Sequence, residues 1–166
     1  MDITTIIDKQ RQYYESESTM SYRFRLEALK KLKQGLIKHQ KAFEEALYKD
    51  LNKSPIESYF AEIGLTLKEI THQEKHLKRY MKNRPVKTSL TDFHAKSYIS
   101  PHPYGVTLIM SPWNYRLMLT LCPLAGAIAA GNTCIVKPSD YSHHTSLALK
   151  AMIEDTFPEE YVALVT

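Results

Sequence analysis

Cysteine is scarce in this sequence. Cys122 and Cys134 are the two in 166 residues, and no C-x-x-C spacing joins them. Both lie in apolar runs, which points to buried thiols in a reducing cytoplasm rather than to a disulfide. Long apolar runs are also missing. The one membrane-like stretch, residues 117–130, is too short for the ~30 Å of a bilayer core, contains Pro123 and Gly126, and precedes Gly131-Asn132. It reads as a buried helix, and no membrane span is expected. The N-terminus, with Asp2 and Asp8, lacks the basic segment and apolar core of a signal peptide. Internal repeats and low-complexity segments are absent. The net charge of only +4 excludes a general polyanion binder. Basic residues do gather at Lys68, Lys75, Lys78, Arg79, Lys82, Arg84 and Lys87, against Glu69 and Glu74. Such a run is more often the solvated face of a helix end, so no nucleic-acid partner is expected.

What is present divides by period. After Ser18-Thr19, Tyr22, Leu26, Leu29, Leu32, Leu36, Phe43, Leu47 and Leu51 recur at helical spacing, with Gly35 the expected break between two helices. Ser54-Pro55-Ile56-Glu57 is a capping box with Pro in the first helical position. The helix it opens should end before Arg84-Pro85. The period then shortens. Residues 96–102 and 104–110 read as strands, 117–130 as a helix ended by Gly131-Asn132, 133–136 as a buried strand, 142–155 as a helix and 161–165 as a strand. The fold class is therefore α/β: N-terminal helices followed by a parallel βαβαβ unit, the first half of a doubly wound, Rossmann-like sheet. Such sheets bind ligands beyond the C-terminal ends of their strands, which singles out the loops 111–115 and 137–140. Neither carries G-x-G-x-x-G, so the ordinary dinucleotide fingerprint is missing.

Taken as chemistry alone, these loops stay open to two readings. The Asn114 amide can donate to an oxygen that gains negative charge, or satisfy a local turn. Lys137 can present its ammonium to a ligand, or be a solvated loop lysine. His72 and His76, four apart and near Glu69 on one helix face, permit a metal site, but surface histidines are the commoner explanation and no metal is expected.

The ordered series Pro103-Tyr104-Gly105-Val106, Ser111-Pro112-Trp113-Asn114-Tyr115, residues 123–132 (PLAGAIAAGN) and Val136-Lys137-Pro138-Ser139-Asp140 resembles the aldehyde dehydrogenase superfamily, in particular its class 3 branch, which acts on fatty and aromatic aldehydes. Asp50-Leu51-Asn52-Lys53-Ser54 and the stretch from Glu57 to Gly64 are similar to that branch's helical half. The resemblance implies that Asn114 helps stabilise the oxyanion of a thiolate–aldehyde adduct. It also implies that Met110, Ser111, Pro112, Trp113, Lys137, Ser139 and Asp140 meet NAD or NADP, with weak or absent binding expected of these residues alone, and that Tyr115 lines the aldehyde channel. Lys137 and Asp140 would hold the adenosine ribose, Asp140 standing where the branch more often has Glu. It implies a division into a helical region (1–95), a short strand of a bridging and oligomerisation segment (96–103) and the first half of an NAD(P)-binding domain (104–166). The small residues of 125–130 would let a helix approach the sheet closely.

Two departures accompany the resemblance. The family's W-N-Y-P reads W-N-Y-R here. Arg116 would place a cation beside Asn114 at the cofactor mouth, where it either damages the site or pairs with an anion. The segments that hold the family's nucleophilic Cys and general-base Glu are not among these residues, and neither Cys122 nor Cys134 matches the nucleophile. The chain is thus expected to be the N-terminal part of such an enzyme, inactive alone. The competing expectation is a non-catalytic interaction or oligomerisation module built on the same fold. Strand 104–110 should present a free apolar edge, so the chain is expected to dimerise, aggregate or rearrange.

Overall fold

The computed structural model describes residues 2–166. The expected parallel unit forms, with β3 (Val106–Met110), β4 (Thr133–Lys137) and β5 (Val162–Leu164) in that spatial order. α6 (Met118–Ala130) and α7 (His143–Thr156) are its crossovers. The register pairs Val106 with Thr133 and Met110 with Lys137, so both strands end at the same level. α6 stops because Gly131 takes a left-handed backbone, φ 93°. Asn132 then accepts from the backbone N–H of Gly105, which itself has φ 109°. Two of the motifs noted in the sequence are therefore one structural joint, which aligns the starts of β3 and β4.

The helical half is layered on this sheet. α2 (Tyr22–Lys38), α3 (Gln40–Leu51) and α5 (Gly64–Tyr80) pack outside α6 and α7. Leu29, Leu32, Leu36, Phe43, Ile70, Leu121, Leu124, Val136 and Leu149 form one continuous core between them. Gly35 is not a helix break. It lies inside α2, where a Cβ would come within 2.5 Å of Thr156 Oγ1. Its role is close approach to α7, and the real break is at His39. The Ser54 hydroxyl does accept from the Glu57 N–H, at 3.2 Å, and Pro55 opens α4 (Pro55–Ser58). A π-helical turn, Tyr59–Ile63, joins α4 to α5 and turns Glu62 wholly inward. Gly126 departs from expectation: a Cβ there would meet nothing within 4 Å, and α6 makes its close contacts through Ala125 and Ala129.

Two elements were not legible. α1 (Ile3–Glu15) covers the opposite face of the sheet, where Ile6 meets Ile135 and Ala163. Its other buried residue is Gln10, whose amide donates to the carbonyls of Cys134 (2.8 Å) and Glu159 (3.2 Å). The strand expected at 96–102 is β2 (Ser97–Ile99), which pairs antiparallel with β1 (Arg84–Val86) across a loop. Among the described residues the outer side of β3 has no partner strand, and Leu108 and Met110 are 59% and 74% exposed.

Candidate functional site

Parallel strands of matched length bring both ligand-end loops together. The N–H of Ser111, just past β3, donates to the carbonyl of Lys137 at the end of β4 (3.1 Å). Met110, Ser111, Pro112, Trp113, Asn114 and Tyr115 thus lie beside Lys137, Ser139 and Asp140, at the end of the sheet where doubly wound folds take ligands.

The first loop is organised from beneath. Thr120 Oγ1 lies 2.7 Å from Ser111 Oγ and 2.5 Å from the Arg116 carbonyl. Trp113, Asn114 and Tyr115 are exposed above this buried layer. Tyr115 has φ 45°, a left-handed conformation that a bulky residue adopts only where its surroundings enforce it. The loop's internal hydrogen bonds are made by Arg116 and Thr120, not by Asn114, which counts against Asn114 as a mere turn residue.

Arg116 does not lie at the cofactor mouth as the sequence reading placed it. It is 6% exposed and turned into the protein. Its Nε donates to the Trp113 carbonyl (2.6 Å), and Nη1 stands 2.9 Å from Asp50 Oδ2. Of the two outcomes foreseen, the anion pairing is realised, and the anion is a protein carboxylate. Asp50 also accepts from the backbone N–H groups of His144 and Thr145 and from their side chains. It therefore caps α7. Burial pushes the Asp50 carboxyl up, but the hydrogen bonds from Thr145 and His144 outweigh this and pull it down to about 2.

A second buried carboxylate does the same for α6. Glu62 Oε2 accepts from the Leu117 N–H (2.8 Å), while Oε1 meets Lys53 Nζ (2.5 Å). Lys53 in turn sits 4.9 Å from the centroid of the Tyr115 ring. Asp50, Lys53 and Glu62 were visible in the sequence as parts of family-like stretches, but nothing local assigned them a role. Lys53 and Glu62 pair nine residues apart, but the groups the three hold, at Tyr115, Arg116, Leu117, His144 and Thr145, lie more than fifty residues away.

The second loop is held lightly. Lys137 Nζ meets Asp140 Oδ1 (2.5 Å) and the Pro138 carbonyl (3.1 Å), and Asp140 is largely in solvent. The Ser139 hydroxyl accepts from the Tyr141 N–H, and its carbonyl accepts from the Ser142 N–H. An ammonium that donates beside a carboxylate that accepts, both reaching solvent, is the donor set that suits a vicinal diol such as a ribose.

The remaining candidates lie elsewhere. His72 and His76 stack on each other on α5, with centroids 4.2 Å apart; His72 also meets the Tyr80 hydroxyl, and Glu69 accepts from Gln73. Cys134 is buried in β4, where burial raises its thiol to about 12; Cys122 is half-buried in α6 and also raised by burial. Neither is poised as a thiolate nucleophile at neutral pH. Among the described residues no helix is long and apolar enough to cross a membrane.

Comparison with known proteins agrees with this arrangement. The model of the aldehyde dehydrogenase family matches residues 1–166. The 4,4'-diaponeurosporen-aldehyde dehydrogenase of Staphylococcus aureus is 42% identical over 153 residues, which cover 92% of this chain and 33% of that protein. Mouse aldehyde dehydrogenase family 3 member A2 is 36% identical over 155 residues, 93% of this chain and 32% of its own length. A solved structure of the substrate-bound state of Staphylococcus aureus AldH superposes with a TM-score of 0.96 at 39% identity, covering 99% of this chain and 36% of that one. The chain thus spans about a third of the length of the relatives it matches.

Proposed function

The chain belongs to the aldehyde dehydrogenase family, and from that premise we propose that it is the N-terminal part of an enzyme that oxidises apolar aldehydes to carboxylic acids with a nicotinamide dinucleotide. The observation that carries this reading is the level register of β3 and β4. It puts the exposed Asn114 amide and the Lys137–Asp140 ion pair at the same end of the sheet. Asn114 donates to the aldehyde oxygen as negative charge builds on it during thiolate attack; such a donor is worth about 3 kcal/mol in a water-excluded site. Lys137 donates to, and Asp140 accepts from, the ribose hydroxyls. A bound nicotinamide ring supplies the hydride acceptor. Trp113 and Tyr115 offer apolar walls to the aldehyde, in keeping with the fatty or aromatic substrates of the class 3 branch and the 4,4'-diaponeurosporen-aldehyde that names one relative. Neither thiol described here is suited to the attack, so the nucleophile and the base are expected from chain beyond these residues.

We read the open side of β3 as a contact surface as well. Leu108 and Met110 leave water when two copies meet there, so the 166-residue chain is expected to self-associate. Light scattering that finds a stable monomer across micromolar concentrations would overturn this. The two unpaired thiols fit a cytoplasmic setting.

The test of the site is titration of NAD⁺ and NADP⁺ against the purified chain, read by the fluorescence of Trp113, its single tryptophan, with an aldehyde-oxidation assay beside it. Binding of either dinucleotide that Lys137→Ala weakens supports the reading. Binding that Lys137→Ala and Asp140→Ala both leave unchanged would refute the ribose assignment. Turnover by this chain alone would refute the account of its thiols.

A further inference from the structure

We propose that Arg116 is a positioning residue whose guanidinium, held by Asp50, clamps the 113–115 loop in place and ties it to the N-terminus of α7. The proposal rests on the reading of Asn114 as an oxyanion donor and supplies what holds that donor still. Arg116 reaches two elements: its Nε donates to the Trp113 carbonyl within its own loop, at 2.6 Å, and its Nη1 forms an ion pair, without hydrogen-bond geometry, with Asp50 at the end of α3, at 2.9 Å. Asp50 is itself immobilised by four groups of His144 and Thr145, so the anchor is rigid.

Stability alone does not explain the arrangement. A buried ion pair is often no more stabilising than apolar side chains of the same volume. What the guanidinium adds is a link between elements: Nε donates to the loop, while Nη1 is paired with Asp50 by charge, without hydrogen-bond geometry, and a lysine has one nitrogen for both tasks. The loop needs such a constraint, since Tyr115 sits in a left-handed conformation within it. Trp113 and Tyr115 are otherwise exposed, and Asn114 between them makes none of the bonds that hold the loop. A proline at position 116, the residue in the family's motif, would fix the backbone torsion locally. Arg116 instead fixes the loop through a side chain, and through an element that also carries the start of α7, directly after the Lys137–Asp140 loop. Asp50 thereby joins the first loop to the helix that follows the second.

The single tryptophan lies inside the clamped loop and is 60% exposed, so it reports the clamp without any ligand. The experiment compares acrylamide quenching and emission of Trp113 in the 166-residue chain with Arg116→Met, Arg116→Lys, Asp50→Asn and the Arg116→Met/Asp50→Asn double variant. Urea midpoints are measured on the same samples. The expected result is a quenching constant raised about twofold by each single variant, including the lysine, with no further rise in the double. The double variant leaves no buried charge unpaired, so it decides the matter if a single variant does not fold. A folded double variant with wild-type quenching overturns the proposal, as do single-variant effects that add. Dinucleotide titration is kept separate. Dinucleotide binding that Lys137→Ala and Asp140→Ala both leave unchanged would undo the ribose reading, while Trp113 quenching would still decide the clamp.

Discussion

The loops after β3 and β4 occupy the same end of the same sheet, yet they are built differently. The first stands on two buried carboxylates, Asp50 and Glu62, each of which caps a helix and holds a cation. The second is tied by one ion pair largely in solvent. The difference teaches where geometry is settled in advance. A group that must meet a developing charge gains from being fixed before the substrate arrives. A group that grips a ribose can be ordered by the ligand itself.

The contrast breaks if the two loops respond alike to mutation. The largest expected effect is from Glu62→Ala, which strands Lys53 in a nearly buried site and uncaps α6. Its cost is about 3–5 kcal/mol of folding stability by urea denaturation. Next is the acid limb of Asp50. Its carboxyl is depressed from 3.8 to about 2 in the folded chain. The resulting stabilisation is fully present above pH ~4 and lost as pH falls through ~2, and amounts to about 2 kcal/mol. Asp50→Asn should flatten that part of the stability–pH profile, measured by chemical denaturation at successive pH values; an unchanged slope would count against the capping role. Lys137→Ala should be the mirror image of Glu62→Ala. It is expected to cost below about 1 kcal/mol in stability but to weaken dinucleotide binding about tenfold by fluorescence titration. A stability loss equal to that of Glu62→Ala would erase the distinction. The smallest effect concerns the thiols. Iodoacetamide at pH 8 should leave Cys134 unmodified in the folded chain and label Cys122 slowly, as read by mass spectrometry. Rapid modification of Cys134 would show that β4 is not the closed strand described here.

The sheet was legible because its signals are local. Apolar strands, the Gly131-Asn132 stop and the following helix each declare themselves within a few residues. The motif residues proposed for the site lie at strand ends, so their place in the fold follows from the same local signals. Arg116 was not. Its conformation depends on Asp50, 66 positions earlier in the chain, and no local pattern reveals a carboxylate that approaches from another layer. Gly35 was misread because a glycine that admits a neighbouring helix and one that ends a helix look identical in sequence; only Thr156 across the interface distinguishes them. α1 escaped notice because one of its two buried side chains is a glutamine. β1 holds a proline and three exposed residues, so its pairing with β2 leaves no alternating pattern to detect.

That glutamine has a consequence for how the protein opens. Gln10 spends its amide on two carbonyls, and its Oε1 is buried with no partner. The apolar contribution of α1 is Ile6 with the partly buried Ile7 and Tyr13. With that amide, the Tyr14 hydroxyl on the Pro103 carbonyl and the Lys9–Glu159 ion pair, α1 docks mainly through polar contacts that fix its azimuth. α1 is thus a latch on the rear of the sheet, and its departure uncovers Ile135 and Ala163.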